Sequence, residues 1–549
     1  MSSSTSMACT HPILTQHFDT SDIVLEEVTG LRENTFTPIY RLPPEILSRI
    51  FSFAQHVPKR QSEEYRNSTY LKWLVVTGVS QHWRDVALES PGLWSHISMS
   101  YSTHVIEEWL RRSKAAPLSV ITHEGPSSPQ EAHLITTSLF RIRELELAVN
   151  TTLWNSLWSN LSSPAPLLES LRVTIPYNLY RSRPFPIISD STFAGMTPRL
   201  RRLELIGCSV DINSSILRNL TDLELSDLFQ EIPATDILTA VRRLPGLTSL
   251  TLSHCVLSNN APVSSNLGAI SLPYLKSLVI RGRSFVRDLD ILSHLSFPKS
   301  ATLLFSSCTP TQGAAALSDF FGINHAARSQ GSSPSLQSNV CLQLWPSVFM
   351  LQIYAECAEP AHVTKFLDLE LSGHWEHALE PSNNPQVTAL FSSSPLSSIT
   401  SFRTSCLLNV ETWTNIFGSL PHLKHILAAG SRAVNLLSAL VDDIKGKIQS
   451  GDEDRQISST SSQLMGYVPI FPRLEMIELE AMIFAKNLSP LFDTLRARKS
   501  AGMGIKTIEI RVCRNMNQRT YESLRDLVDD VVWDGVMHGG VISDTDSDA

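Results

Sequence analysis

The residues that could carry out catalysis do not fall into the spacings that catalysis requires. Gly502, Gly504 and Lys506 lie close together, but they lack the spacing of a loop that cradles nucleotide phosphates. The chain has neither the Gly-x-Ser-x-Gly elbow of α/β-hydrolases nor the His-Glu-x-x-His pair of zinc proteases. His422 and His425 lie at the start of an apolar strand pattern, where a surface or core role is commoner than metal binding. We therefore expect no catalytic residues, no metal, no cofactor and no enzymatic activity.

The eight cysteines are spread along the chain, and no two have the CxxC spacing of a zinc or redox site. The first residues lack the basic start and apolar run of a secretory signal peptide. No apolar stretch approaches the roughly 20 residues that a membrane span needs. We expect a soluble intracellular protein with reduced thiols, located in the cytoplasm, the nucleus or both.

Length and charge limit the possible partners. The chain has 549 residues, of which 42% are hydrophobic, and this is too long for one ordinary compact domain. Its 45 basic and 53 acidic residues give a formal net charge of −8. A mildly acidic protein exerts no long-range attraction on nucleic acid or on an anionic membrane, so neither is expected as a partner.

A leucine pattern recurs from about residue 139 to residue 513. Residues 200–208 have the order Leu-x-x-Leu-x-Leu-x-x-Cys, residues 247–255 repeat it, and residues 505–513 repeat it with isoleucines. Units that start at 200, 220, 247 and 275 are spaced close to the 20–29 residues of a leucine-rich repeat. The pattern resembles the cysteine-containing leucine-rich repeats, and the alternative is a generic α/β domain with leucine-rich strands. We expect the cysteines that share the last template position to be small, buried and structural; they are Cys208, Cys255, Cys308 and Cys513.

A second pattern occupies residues 42–94. It begins with Leu-Pro-Pro-Glu-Ile-Leu at 42–47, which places proline at a helix start, and an apolar stripe follows over 46–51. Val-Ser-Gln-His-Trp-Arg-Asp-Val-Ala-Leu at 79–88 and Ser-Pro-Gly-Leu-Trp at 90–94 complete it. Taken together, the order and spacing of these parts resemble the F-box, in the divergent form that is common in fungal proteins.

The F-box resemblance implies a three-helix module whose apolar surface binds a Skp-type adaptor of a cullin–RING ubiquitin ligase. A polar insertion at 55–70 and Ser80, where the family often has cysteine, depart from the family pattern. Burial of the same apolar residues in a helical cap of the repeat array is the alternative explanation. The adaptor-facing residues that the resemblance implies are Leu42, Pro43, Ile46, Leu47, Ile50, Val79 and Trp83.

These patterns together predict an N-terminal three-helix F-box-like module followed by an irregular leucine-rich-repeat solenoid, or horseshoe, in the α+β or α/β class. The predicted segments are a flexible segment at 1–38, the F-box-like domain at 39–98, a helical connector or cap at 99–138, the repeat domain at 139–515, and a C-terminal helix with an acidic tail at 516–549.

The repeat strands are predicted to bind a target protein. Strand residues that flank the consensus leucines should point to the open face, because side chains alternate along a strand. The residues nominated for target binding are Arg202, Glu204, Glu224, Thr251, Arg281, Glu478, Glu509 and Arg511.

The function that the F-box resemblance implies is substrate recognition for a ubiquitin ligase, with an unidentified target protein. Two alternatives remain open. One is an interaction scaffold with no link to ubiquitination. The other is a hydrolase or transferase within the irregular region at 310–470, which would need a pocket with converging polar groups.

Overall fold

The structure is a computed structural model. It describes residues 38–55, 72–122, 128–148, 157–175 except 159, 187–228, 231–256, 267–308, 313–327, 338–345, 348–355, 364–372, 396–440 except 407, 419 and 430–434, 470–481, and 488–535 except 501. The predicted flexible segment before residue 38, most of the insertion at 55–70 and the acidic tail after residue 535 lie outside the described residues.

Short helices open the described part of the chain. Helix α1 (Pro44–Gln55) begins at Pro44, whose missing N–H is tolerated in a first helical turn. Helix α2 (Gln81–Glu89) begins after Ser80, whose hydroxyl accepts a hydrogen bond from the backbone N–H of Trp83 at 3.2 Å. The remaining labelled helices are α3 (Thr103–Arg112), α4 (Pro129–Ser138), α5 (Ala234–Arg242), α6 (Phe285–Ser293), α7 (Gly313–Ala327), α8 (Leu488–Ser500) and α9 (Gln518–Arg525). In the same region, 3-10 helices span Pro38–Arg41, Lys72–Gly78 and Pro91–Trp94.

One sheet of 17 strands dominates the part of the chain that the structure describes. Its strands are β1 (His96–Ser98), β2 (Leu118–Thr122), β3 (Ile142–Ala148), β4 (Ser170–Thr174), β6 (Arg202–Ile206), β8 (Asp222–Ser226), β9 (Ser249–Ser253), β11 (Ser277–Arg281), β13 (Thr302–Cys308), β14 (Ser338–Trp345), β15 (Val348–Ala355), β16 (Thr364–Ser372), β17 (Ile399–Thr404), β18 (His425–Ala429), β19 (Met476–Glu480), β20 (Thr507–Arg511) and β21 (Asp530–Trp533). Two small parallel sheets pair β5 (Ile187–Ile188) with β7 (Ser209–Val210), and β10 (Ile270–Ser271) with β12 (Leu295–Ser296).

Strands of the large sheet are parallel except in its middle. From β1 to β13, leaving aside the strands of the small sheets, each strand pairs with the next strand along the chain. The same holds from β17 to β21. Between these two runs, β13 pairs in parallel with β16, β16 and β14 flank β15 in antiparallel pairing, and β14 pairs in parallel with β17. The order between the runs is therefore β13-β16-β15-β14-β17.

Leucines that alternate with polar residues form the buried face of the parallel strands. Leu203 and Leu205 on β6 are in register with Leu223 and Leu225 on β8, and all four side chains are buried. The same pairing continues to β9 and β11, so the leucines form continuous apolar rows. Removing a leucine side chain from water contributes about 1.5–3 kcal/mol. The rows pack against helices such as α5 and α6, which bury apolar side chains in the same core.

The predicted fold class, a three-helix module followed by a leucine-rich-repeat solenoid, is wrong. The chain instead has an α/β fold built on the 17-stranded, mostly parallel sheet. The leucine pattern identifies strands, but it carries no information about how the segments between them fold. Those segments differ in type and length, and the antiparallel strands β14–β16 interrupt the series that a repeat array would continue.

The N-terminal helices also differ from the predicted module. The segment Lys72–Gly78 is a 3-10 helix, so two α-helices rather than three occupy the described part of this region. Strand β1 begins at His96, directly after the 3-10 helix that ends at Trp94. Trp109 of α3 lies in the same apolar cluster as Trp94, because the helices pack onto the start of the sheet. Residues 99–138 hold α3, β2 and α4.

Turns after several strands have a residue in the left-handed region. Gly207 follows β6 with φ 71°, and Val512 occupies the matching place after β20 with φ 53°. A positive φ brings the Cβ of an L-residue close to its own carbonyl, and a β-branched side chain tolerates this least. Replacing Val512 with glycine removes this strain. Val512 is 51% exposed, so the substitution leaves the core intact.

We expect Val512→Gly to raise the free energy of unfolding by about 1 kcal/mol. This value is the strain of valine in the left-handed region minus the extra backbone entropy that glycine loses on folding. Chemical denaturation measures this change. Val532→Gly is the matched control, since Val532 is an exposed valine within strand β21 and its φ is not positive. The control should be destabilised by a similar amount. Loss of stability in both variants would show that the turn at Val512 is unstrained.

Candidate docking surface and polar sheet face

A compact aromatic cluster holds the N-terminal helices in place. The rings of Trp73 and Trp94 meet edge to face with centroids 5.1 Å apart, and Trp94 meets Trp109 at 5.6 Å. The indole N–H of Trp94 donates to the carbonyl of Ala87 at 2.9 Å, and the guanidinium of Arg112 lies 4.4 Å from the Trp94 ring centroid. These contacts tie α2 and α3 to the 3-10 helix that ends at Trp94.

Helix α1 presents two apolar stripes. One stripe, Leu47 and Phe51, is buried in the aromatic cluster. The other stripe is exposed and runs along Ile46, Ile50 and Phe53, which are spaced i, i+4 and i+7 and so lie on one face of the helix. Ile46 is 45% exposed and Phe53 is 71% exposed. We call this exposed stripe, together with Val75 and Val79 on the neighbouring 3-10 helix and turn, the apolar patch.

The structure separates the residues nominated for adaptor binding by their exposure. Pro43, Ile46, Ile50 and Val79 are exposed. Leu42 and Trp83 are half-buried and pack against the aromatic cluster, where the Trp83 ring lies 5.1 Å from that of Phe51. Leu47 is fully buried and is available to no partner in this structure.

Phe53 and Val75 are absent from the predicted docking residues although both are more exposed than Ile46. The i, i+4, i+7 spacing from Ile46 could have identified Phe53. Val75 lies four residues before Val79, which would place both on one face of an α-helix. The segment is instead a 3-10 helix, which does not follow that period.

The residues nominated for target binding fall into two groups on the sheet. Arg202, Glu204, Glu224, Thr251 and Arg281 lie on the successive neighbours β6, β8, β9 and β11. Glu478, Glu509 and Arg511 lie on β19 and β20. Six strands of the sheet separate the two groups, so they do not form one site.

The charged side chains on β19 and β20 pair with one another. Arg511 lies 3.3 Å from a carboxylate oxygen of Glu478 and 2.5 Å from one of Glu509. His425 Nε2 lies 3.5 Å from the other oxygen of Glu478, which is buried. Burial lowers the pKa of His425, and the charge of Glu478 opposes this effect. The arrangement is that of a structural ion network rather than of an open binding site.

The group on β6 and β8 belongs to a row of four in-register side chains: Glu146, Arg172, Glu204 and Glu224. Arg172 lies 3.0 Å from Glu204 and 3.7 Å from Glu146. Burial raises the pKa of Glu204, while Arg172 opposes this effect. Arg172 is absent from the predicted residues, although its place between Leu171 and Val173 could have identified it. We call these four residues the polar row.

The template cysteines are buried at three of the four positions. Cys208, Cys255 and Cys513 are buried, and burial raises the pKa of the thiols of Cys208 and Cys255 to about 12. The prediction is wrong for Cys308, which is exposed. Strand β13 continues to Cys308 and pairs it with Ser372, so alternation places its side chain on the polar face instead of in the core.

Within the described part of the chain, no group of three or more His, Cys, Asp or Glu side chains could hold a metal ion. A search of the same residues finds no helix whose length and apolar character would let it cross a membrane. About half of the predicted irregular region at 310–470 lies outside the described residues, and the described half includes strands β14 to β18. A scan against protein-family models gives no match for this chain, and a search of curated proteins gives none either.

Proposed function

We propose that the chain is a substrate-recognition adaptor of a cullin–RING ubiquitin ligase. The apolar patch binds a Skp-type adaptor, and the polar face of the sheet binds the target protein. Catalysis then belongs to other subunits, and the protein works in the cytoplasm, the nucleus or both. The F-box resemblance of residues 42–94 suggests the adaptor, and one observation carries the proposal: α1 leaves Ile46, Ile50 and Phe53 in solvent.

Exposure of this stripe is costly for an isolated protein. Covering a fully exposed large apolar side chain contributes about 1.5–3 kcal/mol, and covering the partly exposed Ile46 and Ile50 contributes proportionally less, so the stripe as a whole favours a protein with an apolar groove. The aromatic cluster beneath it keeps α1 fixed, since the side chain of Gln55 at its end also donates to the carbonyl of Leu93 at 2.7 Å. A preformed surface loses little conformational entropy on binding.

The test is co-purification of a Skp-type adaptor with the full chain and with Ile46→Asp/Ile50→Asp. We expect the double variant to bind more than 100-fold more weakly, because it loses two apolar contacts and would bury two carboxylates. Isothermal titration with the purified adaptor gives the ratio. These positions are preferable to Trp83, whose removal would also disturb its contact with Phe51.

Val286→Asp is the matched control. Val286 is an exposed valine on helix α6, far along the chain from the apolar patch. The control should bind the adaptor like the unmodified chain. Failure of the unmodified chain to bind the adaptor, or equal binding by the double variant, would refute the proposal and favour an interaction scaffold with no ligase connection.

A further inference from the structure

The polar row holds more negative charge than its one arginine can pair. Its residues occupy four adjacent parallel strands, so neighbouring side chains start about 4.8 Å apart. Arg172 lies between Glu146 and Glu204 and is within 4 Å of both. Glu224, at the end of the row, therefore lies beyond the carboxylate that Arg172 already binds.

Glu224 has no basic side chain within 4 Å in the parts of the chain that the structure describes. Its carboxylate accepts one hydrogen bond, from the hydroxyl of Ser226 at 3.0 Å. Glu204 beside it is half-buried, and the charge of Glu224 adds to the burial that raises the pKa of Glu204. The charges of Arg172 and Arg202 both act on Glu204, but only Arg172 lies within 4 Å of it among the described residues. The neighbouring carboxylates of Glu204 and Glu224 therefore share one directly bound cation.

A second, independent feature lies beside this pair. Ser253 is 5% exposed, and its hydroxyl has no hydrogen-bond partner among the residues that the structure describes. Ser253 is in register with Ser226, the residue that donates to Glu224, and alternation along β9 puts it on the same face as Thr251. Buried hydroxyls normally have a partner, so this one is poised for a group from outside the chain.

We propose that Glu204, Glu224 and Ser253 form a subsite for an arginine side chain of the target protein. Arginine fits better than lysine, because its planar guanidinium carries five N–H donors and can bridge two carboxylates while also donating to a hydroxyl. The bound cation would continue the alternation of charge that begins with Glu146 and Arg172. This inference rests on the proposed target-binding role of the sheet.

A defined peptide set tests the subsite. The probes are bead-displayed ten-residue peptides with randomised flanks and arginine, lysine, citrulline or norleucine at the central position. We expect the full chain to enrich arginine peptides at least tenfold over citrulline peptides, which have the same shape without the charge. Glu204→Gln/Glu224→Gln should abolish this preference, and Ser253→Ala should reduce it about threefold.

Glu411→Gln/Glu522→Gln is the matched control, since it removes two exposed carboxylates outside the polar row and changes the net charge equally. It should keep the arginine preference, and its melting midpoint should match that of the test variant. An unmodified chain without arginine preference, or equal preference in the Glu204→Gln/Glu224→Gln variant, would overturn the inference. The Ile46→Asp/Ile50→Asp variant should retain the preference, so failure of adaptor binding and failure of this subsite are separate results.

Discussion

Gly282→Ala is expected to lower the free energy of unfolding by about 3 kcal/mol, the upper end of the usual cost of overpacking. A Cβ placed on Gly282 would lie 2.0 Å from a carboxylate oxygen of Asp288. That oxygen cannot move aside easily, because Asp288 is 2% exposed and accepts a hydrogen bond from the hydroxyl of Ser307. Gly282 follows strand β11, so the clash would also disturb its N–H bond to the carbonyl of Ser306 at 2.9 Å. Chemical denaturation measures the loss.

Gly246→Ala is the control for a glycine without a close neighbour. A Cβ at Gly246 would meet nothing within 4 Å, and its φ is not positive, so we expect a change within about 0.5 kcal/mol of zero. Gly282→Ala/Asp288→Ala should recover part of the lost stability, since it removes the carboxyl group that the new methyl group meets. Equal stability of the two single glycine variants would show that the loop after β11 can shift.

The strands were predictable because alternation is a local property. Leu203 and Leu205 lie on either side of Glu204, and this order alone indicates which face of β6 is buried. The arrangement of the middle of the sheet was not predictable. Strand β15 is antiparallel to both neighbours, and its sequence has no feature that specifies strand direction. Whether two strands pair in parallel or antiparallel depends on the path of the segments between them, which belongs to the tertiary structure.

The sequence predicted which kinds of residue the candidate sites contain, but not which of those side chains are exposed or paired. Helical spacing shows that α1 has apolar residues at 46, 47, 50 and 51, but not which of them face the chain's own core. The aromatic cluster decides this by covering Leu47 and Phe51 and leaving Ile46 and Ile50 in solvent. Glu224 and Glu509 both lie between two apolar residues of a strand. Two residues further along the same strand, Glu509 has Arg511, which pairs with it, whereas Glu224 has Ser226 and no basic side chain within 4 Å among the described residues.

Asp288 lies in a sequence, Arg-Asp-Leu-Asp, that is typical of a solvent-facing helix. Its burial follows from the close approach of Gly282 and from Ser307 on β13, neither of which is adjacent in the chain. Burial raises the pKa of Asp288 from its ordinary value of 3.8 to about 7, and the hydrogen bond from Ser307 partly opposes this. The thiol of Cys255 nearby has a pKa of about 12 and stays neutral over the same pH range.

This raised pKa predicts that stability falls as the pH rises. Below about pH 4, Asp288 is protonated in the folded and unfolded chains alike, and its burial carries no charge penalty. Between about pH 4 and pH 7 the unfolded chain releases the proton while the folded chain retains it, so the folded state loses stability with increasing pH. The full loss is about 4 kcal/mol, from a pKa difference of about 3 at 1.36 kcal/mol per unit.

Asp288→Asn provides the reference, because asparagine has nearly the same shape and does not titrate. Denaturation of both proteins at pH 5 and pH 8 isolates the contribution of Asp288 from that of the other acidic groups. We expect the unmodified chain to lose about 2–3 kcal/mol more than Asp288→Asn between these two pH values. Parallel pH profiles would mean that Asp288 already carries its charge at pH 5 in the folded protein. In that case the carboxylate near Gly282 would have to be stabilised by more than the single bond from Ser307.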